Sequence, residues 1–232
     1  MKGRQMVRHQ VSLVLVGSIP TPKFFSNKKF RGGRTTRVCS VLELEAIRML
    51  KKRELQDAQA LYELMVHPDV FPFVRQKAYS YEEFLFLTKQ TIEAEERGEL
   101  ISRTILDEWG APIGTINLFD IQDGAGFLGT WLGKPYHGKG YNKPAKDAFF
   151  NELFYDLSIQ TIFMRIRKIN VRSTMAAEKL PYVSFANETR KSLLDEINAG
   201  QDLYNLYEIS KDSYTIHTMR SVPSLAEERM EA

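Results

Sequence analysis

Two glycines separated by one residue, Gly138 and Gly140, flank Lys139 directly ahead of a stretch with helical patterning, in the run His137-Gly138-Lys139-Gly140-Tyr141. That arrangement suits an anion. The N-terminus of a helix presents main-chain N–H groups with no intrahelical partner, and the helix dipole is positive there. A phosphate is therefore a natural ligand. Glycine removes the side chain where a ligand must approach the backbone and permits angles that other residues resist, while Lys139 adds charge nearby. Short glycine turns between strand and helix also solve purely geometric problems, so the motif alone leaves both readings open. The G-x-x-x-x-G-K-[S/T] spacing of nucleoside-triphosphate loops is missing, as is the third glycine of the dinucleotide-binding fingerprint.

Other reactive side chains are sparser. The four histidines (His9, His67, His137 and His217) show no metal-ligand spacing, so no metal is expected. Cys39 is the single cysteine, which excludes an intrachain disulfide and fits a reducing compartment, so the cytoplasm is the expected location. Asp120, Asp123, His137 and Glu178 are candidates for a general base, each with an ordinary solvated role as the alternative.

The elements that must position these groups follow from periodicity. Residues 42–50 read as a first strand. A helix is predicted over 54–67, where Leu55, Ala58, Leu61, Tyr62 and Met65 recur at helical spacing and Pro68 ends the run. A second helix is predicted to begin after Ser80, with Glu83 three residues on as a capping partner, and to stop near Arg97 before Gly98. Residues 101–106 and 113–119 form β-rich runs around a turn-type insert containing Trp109, which reads as a hairpin with Trp109 as a weak candidate partner contact. Residues 127–132 add a third strand, and a helix over 142–157 follows the glycine turn. A buried strand at 161–167, a short helix at 171–179, a helix at 188–198 and late strands near 182–186 and 203–216 complete the reading. Tyr62, Val70, Phe71, Phe73 and Phe84 form an aromatic-rich stripe that either packs the core or lines an acceptor pocket.

The surroundings of the glycine turn go further. The run Phe127-Leu-Gly-Thr-Trp-Leu-Gly-Lys-Pro-Tyr-His-Gly-Lys-Gly-Tyr141 resembles the coenzyme A-binding motif of GNAT N-acetyltransferases, with the ribosomal-protein N-acetyltransferase branch as the nearest likeness. Asn170-Val-Arg-Ser173, followed by Ala177-Glu-Lys-Leu-Pro-Tyr182, is similar to that branch's next motif. The likeness covers about residues 42–214. It implies an α+β GNAT (acyl-CoA N-acyltransferase) fold, a mixed central sheet of about six or seven strands with helices on both faces.

The resemblance also implies roles. The strand at 127–132 would splay from the strand at 161–167, with the pantetheine arm of acetyl-CoA in the opening. Main-chain groups of His137, Gly138, Lys139, Gly140 and Tyr141 would take the diphosphate, Asn170 would reach the cofactor near the pantetheine, and the backbone around Trp131 and Leu132 would polarise the thioester carbonyl. Ser173 would stand near the leaving sulfur as the catalytic acid, or else bond the backbone of its own helix turn. The acceptor would be a primary amine, either a protein N-terminus or a small molecule, whose neutral nitrogen attacks the thioester directly.

Departures from the family pattern keep a second reading open, a catalytically silent coenzyme A-binding or interaction module. Ala177 stands where relatives place a tyrosine acid, Phe127 where a glutamate is common, Asn142-Lys143-Pro144 where an acidic residue is usual, and Pro181 where a glycine is usual. Charge supplies a third reading. Residues 1–42 hold nine Lys or Arg and no acid, so the remainder carries −6 of the net +3. That acidic body argues against nucleic-acid binding except through the basic arm, which reads as a disordered or non-native extension, or as a ribosome- or nucleic-acid-associating arm. Residues 1–41 are thus expected to be the arm, 42–219 the acetyltransferase domain and 220–232 a polar tail. No apolar run reaches the length of a membrane-spanning helix, and the protein is expected to be a monomer or homodimer.

Overall fold

A computed structural model describes residues 49–221. The basic arm, all but the end of the first expected strand, and the polar tail after Ser221 lie outside the described residues. Strand β1 spans Leu50–Lys52 and meets the end of the expected first strand at Leu50. Leu55–Asp57 forms a single 3-10 turn that leads into α1, Ala58–Met65, whose buried Ala58, Leu61 and Met65 are those the helical spacing marked. Helix α2 spans Tyr81–Glu96. Ser80 caps it by accepting from the Glu83 N–H at 3.2 Å, and Glu83 in turn accepts the Tyr79 N–H at 2.7 Å, one residue before the position a simple capping box uses.

The period then changes to that of strands. Ile101–Leu106 is β2, Pro112–Gln122 is β3 and Ala125–Leu132 is β4, an antiparallel meander. After the glycine turn, α3 runs Asn142–Asn151 and continues as a π turn, Glu152–Asp156. Pro144 falls in the first turn of α3, where its missing N–H costs nothing. Thr161–Arg167 is β5, Val171–Glu178 is α4, Ser184–Phe185 is β6, Lys191–Asn198 is α5, and Tyr204–Ser210 is β7. The last expected strand, 203–216, is corrected here: β7 stops at Ser210, and Lys211–Ser221 is a helix, α6. Ser210 Oγ accepts the Ser213 N–H at 3.1 Å and so caps it.

The seven described strands form one mixed sheet in the order β1-β2-β3-β4-β5-β7-β6, and among the described residues β4 and β5 are the only parallel neighbours. A large apolar cluster under α3, α4 and α6 contains Ile116, Leu118, Phe149, Phe150, Leu153 and Tyr214. On the other face α1 and α2 bury Leu61, Met65 and Phe84 with Trp131 against them, while α5 covers Phe163 and Leu206. Each fully buried large apolar side chain contributes about 1.5–3 kcal/mol. The two faces thus hold rigidly the one place where the sheet comes apart.

Candidate active site

That place lies between β4 and β5. Pairing begins at Ala125 with Thr161 and ends at Phe127 with Phe163, although β4 continues to Leu132 and β5 to Arg167. Beyond Phe127 the parallel neighbours diverge. A cleft of about 490 Å³ fills the opening, lined by Leu128 and Thr130 on one side and by Met164 and Ile166 on the other.

The ladder fixes which peptide groups face the cleft. The Gly133 N–H donates to the Ile113 carbonyl at 2.8 Å, and antiparallel bonding alternates, so Trp131 opposite Thr115 spends its N–H on β3. The amides of Thr130 and Leu132 therefore point away from β3, towards the opening. Trp131 contributes its indole rather than its amide, lining the cleft and packing against the α1–α2 cluster. The Thr130 hydroxyl is buried without a partner among the described residues. Unmet polar groups of this kind are costly unless something fills the space.

At the end of β4 the chain enters the glycine turn. Gly138 has φ 74° and Gly140 φ 91°, values that only glycine adopts without strain, and a Cβ at either would meet no atom within 4 Å. The backbone therefore demands glycine for its conformation, and the space beside it is open. Tyr136 and Tyr141 meet edge to face at 5.8 Å, and the Lys139 ammonium lies 5.7 Å from the Tyr136 ring. The Tyr141 hydroxyl donates to Glu108 in the β2–β3 turn, and that bond pushes its pKa up to about 12. The turn is thus braced from two sides while Asn142 and Lys146 of α3, just beyond it, line the cleft.

His137 locks the start of the turn. Its Nε2 donates to the Leu132 carbonyl at 2.8 Å and its Nδ1 accepts from Arg172 at 2.7 Å, a pattern open only to the neutral ring. Burial, with Arg172 and Lys134 adding to it, holds its pKa below the ordinary value, against the opposing pull of the Leu132 carbonyl. Across the cleft, Asn170 caps α4 by accepting the Ser173 N–H at 3.2 Å. Both Asn170 and Ser173 line the cleft, and the Ser173 hydroxyl has no protein partner among the described residues. Ala177 is fully buried in the core, and the residue of α4 that reaches the cleft beyond Ser173 is Ala176.

The base candidates fare differently. Asp120 is ion-paired with Arg75 at 2.6 Å, and Glu178 accepts from the Tyr207 hydroxyl at 3.2 Å. Among the described residues no Asp, Glu or His side chain lines the cleft. Of the aromatic stripe, Phe73 and Phe84 line it, whereas Tyr62, Val70 and Phe71 belong to the α1–α2 core. Trp109 is 81% exposed at its turn. Sequence reasoning missed Arg53, Arg75, Lys146 and Arg165, all of which line the cleft, because they lie on separate segments that only the sheet brings together.

Comparison with known proteins agrees with this geometry. The family model described as an acetyltransferase (GNAT) domain matches residues 48–183. None of the curated protein sequences matches the chain. Among solved structures, apo FdhC, a nucleotide-linked sugar GNAT, superposes with TM-score 0.58 at 16% identity, over 74% of this chain and 90% of that one. Spermidine N-acetyltransferase from Vibrio cholerae, in complex with CoA and spermine, gives 0.58 at 13% identity, covering 72% and 96%. Ribosomal-protein-S5-alanine acetyltransferase from Vibrio fischeri gives 0.56 at 16% identity, covering 71% and 93%. At such identities the likeness to these structures establishes the fold.

Proposed function

Since the chain belongs to the GNAT family of acyl-CoA-dependent N-acetyltransferases, we propose that it transfers an acetyl group from acetyl-CoA to a primary amine, on a small molecule or a protein N-terminus, by direct attack. The observation that carries this reading is the early end of β4–β5 pairing, with the amides of Thr130 and Leu132 turned into the opening and the glycine turn at its end. The open space beside Gly138 and Gly140 fits a diphosphate held by main-chain N–H groups. Acetyl-CoA supplies the activated thioester.

The residues of the chain do the rest. The Leu132 amide, or that of Thr130, donates to the thioester oxygen and stabilises charge as it develops there. His137 bonds the Leu132 carbonyl, in the peptide that follows the Leu132 amide and whose own N–H, on Gly133, is bonded to Ile113. As the amine forms its C–N bond and the C–S bond breaks, the Ser173 hydroxyl protonates the departing sulfur. With no carboxylate or imidazole lining the cleft among the described residues, the amine enters neutral, and the proton it loses as the amide forms passes through water to restore the Ser173 hydroxyl. The acetyltransferase domain is proposed to span residues 42–219 and to work in the cytoplasm.

The test is calorimetric titration of the full chain with acetyl-CoA, followed by thiol release across a panel of amines and peptides. Gly140→Val should weaken acetyl-CoA binding by roughly tenfold or more, because the turn must leave its φ of 91°. Absence of acetyl-CoA binding by the unaltered protein would end the proposal. Binding without thiol release for any acceptor would favour the silent module instead.

A further inference from the structure

The cleft has a charge that the proposed reaction does not require. Six basic side chains line it, Arg53, Arg75, Lys77, Lys146, Arg165 and Arg167, and among the described residues no acidic one does. Among the described residues only Arg75 is ion-paired, with Asp120 at 2.6 Å. Unpaired cations gathered in a cleft repel one another and are costly unless a ligand of opposite charge completes the site.

Two of them are held in matching positions. Phe119 of β3 and Phe127 of β4 lie directly opposite each other in the ladder. The Arg75 guanidinium lies 4.3 Å from the Phe119 ring, and the Arg165 guanidinium 5.5 Å from the Phe127 ring. The two arginines therefore flank one aromatic pair, each in a cation–π contact, Arg75 with Asp120 as a further partner and Arg165 with no ion pair among the described residues. Deeper in, Arg53 is nine-tenths buried. Its Nη2 reaches Thr88 Oγ1 at 3.3 Å, while Nε and Nη1 have no partner among the described residues. Asp57, a carboxylate that acts on Arg53 electrostatically, is ion-paired at 2.9 Å with Lys51. Burial lowers the Arg53 pKa to about 10, against the pull of Asp57. Burial also lowers that of Arg165, and Arg75 lowers it further.

The diphosphate of the acyl donor does not account for Arg75 and Arg165. Tyr136 and Tyr141, which frame the glycine turn, pack against the cluster under α3, whereas Phe119 and Phe127 belong to the opposite face, with α2 and α5. We infer that the acceptor is an amine that also carries an anionic group, a phosphate or a carboxylate, gripped by Arg75 and Arg165 at the mouth of the cleft and offset by Arg53 within. The guanidinium fork matches either anion in bidentate fashion. The same lining disfavours a polycationic acceptor of the spermidine type.

This inference rests on the acetyltransferase reading, and the experiment separates the two. Acetyl-CoA affinity is measured first by calorimetry, and its absence would overturn both. Initial rates of thiol release are then compared for ethanolamine against O-phosphoethanolamine, for a short peptide against its counterpart with acidic second and third residues, and for spermidine. One anionic member should exceed its neutral partner in kcat/KM by about tenfold or more, which also tells phosphate from carboxylate, and spermidine should be the poorest substrate. Arg165→Gln and the solvent-exposed Arg75→Gln should erase that preference through KM while leaving acetyl-CoA affinity unchanged, and Arg165→Lys should restore part of it. Preference for spermidine or a neutral amine, no discrimination or turnover within either pair while acetyl-CoA binds, or arginine variants that weaken acetyl-CoA instead, would each overturn it.

Discussion

The imidazole of His137 is committed to one tautomer by its two neighbours, the Leu132 carbonyl and the Arg172 guanidinium. Replacing Arg172 with Ala removes a positive charge that opposes protonation, so the His137 pKa should rise towards its ordinary value, as an NMR titration of the ring would show; burial, the larger cause, stays in place. Ser173 carries a different expectation. Ser173→Ala leaves the N–H bonded to Asn170 and removes only the hydroxyl, so kcat should fall by roughly a hundredfold with acetyl-CoA affinity unchanged, at the lower end for acid catalysis. Lys146 is a matter of stability. Burial lowers its pKa from 10.5 to about 8 although Asp147 opposes the shift, so between those values the unfolded chain binds a proton that the folded chain does not. Stability therefore rises with pH across that window, and below it the folded state bears the whole cost of a buried ammonium, roughly 3 kcal/mol. Lys146→Met should raise the urea midpoint at pH 7 clearly more than at pH 9.5, and an equal change at both would remove the electrostatic explanation.

Among the elements, α2 shows how a local signal becomes a measurable energy. Its cap joins the Ser80 hydroxyl to the Glu83 N–H, and Ser80→Ala should cost about 1 kcal/mol, read as a lowered Tm with acetyl-CoA affinity intact. That cap was legible in the sequence, as were β2 and β5, because β-rich runs bounded by breakers leave little choice of period. The end of β7 was not. Tyr204, Leu206 and Ile209 continue into Tyr214 and Ile216 without a glycine or proline between them, so the pattern reads on as strand. The helix starts at a serine pair, Ser210 and Ser213, whose capping role depends on a turn that alternation does not reveal. Of the first expected strand only its end falls among the described residues, and there Leu50 to Lys52 pair with β2.

At the scale of the molecule, the site is a local failure of pairing in an otherwise continuous sheet. Its phosphate turn was visible in sequence because the glycines, the lysine and the helix are contiguous. Its cationic lining was not, since Arg53, Arg75 and Arg165 follow β1, precede α2 and lie within β5, and only the strand order makes them neighbours. The opening itself yields to amide hydrogen exchange. Trp131 and Thr130 are adjacent in sequence and share the same strand, yet the ladder commits the Trp131 N–H to β3 and turns those of Thr130 and Leu132 into the cleft. Exchange resolved by residue should thus be slow at Trp131 with or without ligand, and fast at Thr130 and Leu132 until acetyl-CoA is added. Added acetyl-CoA should slow those two alone on this strand, because a bonded amide exchanges only when its bond opens. Equal protection of Thr130 and Trp131 in the free protein would mean that β4 and β5 remain paired along their whole length in solution, and an acyl donor would then have no main-chain partners to bind.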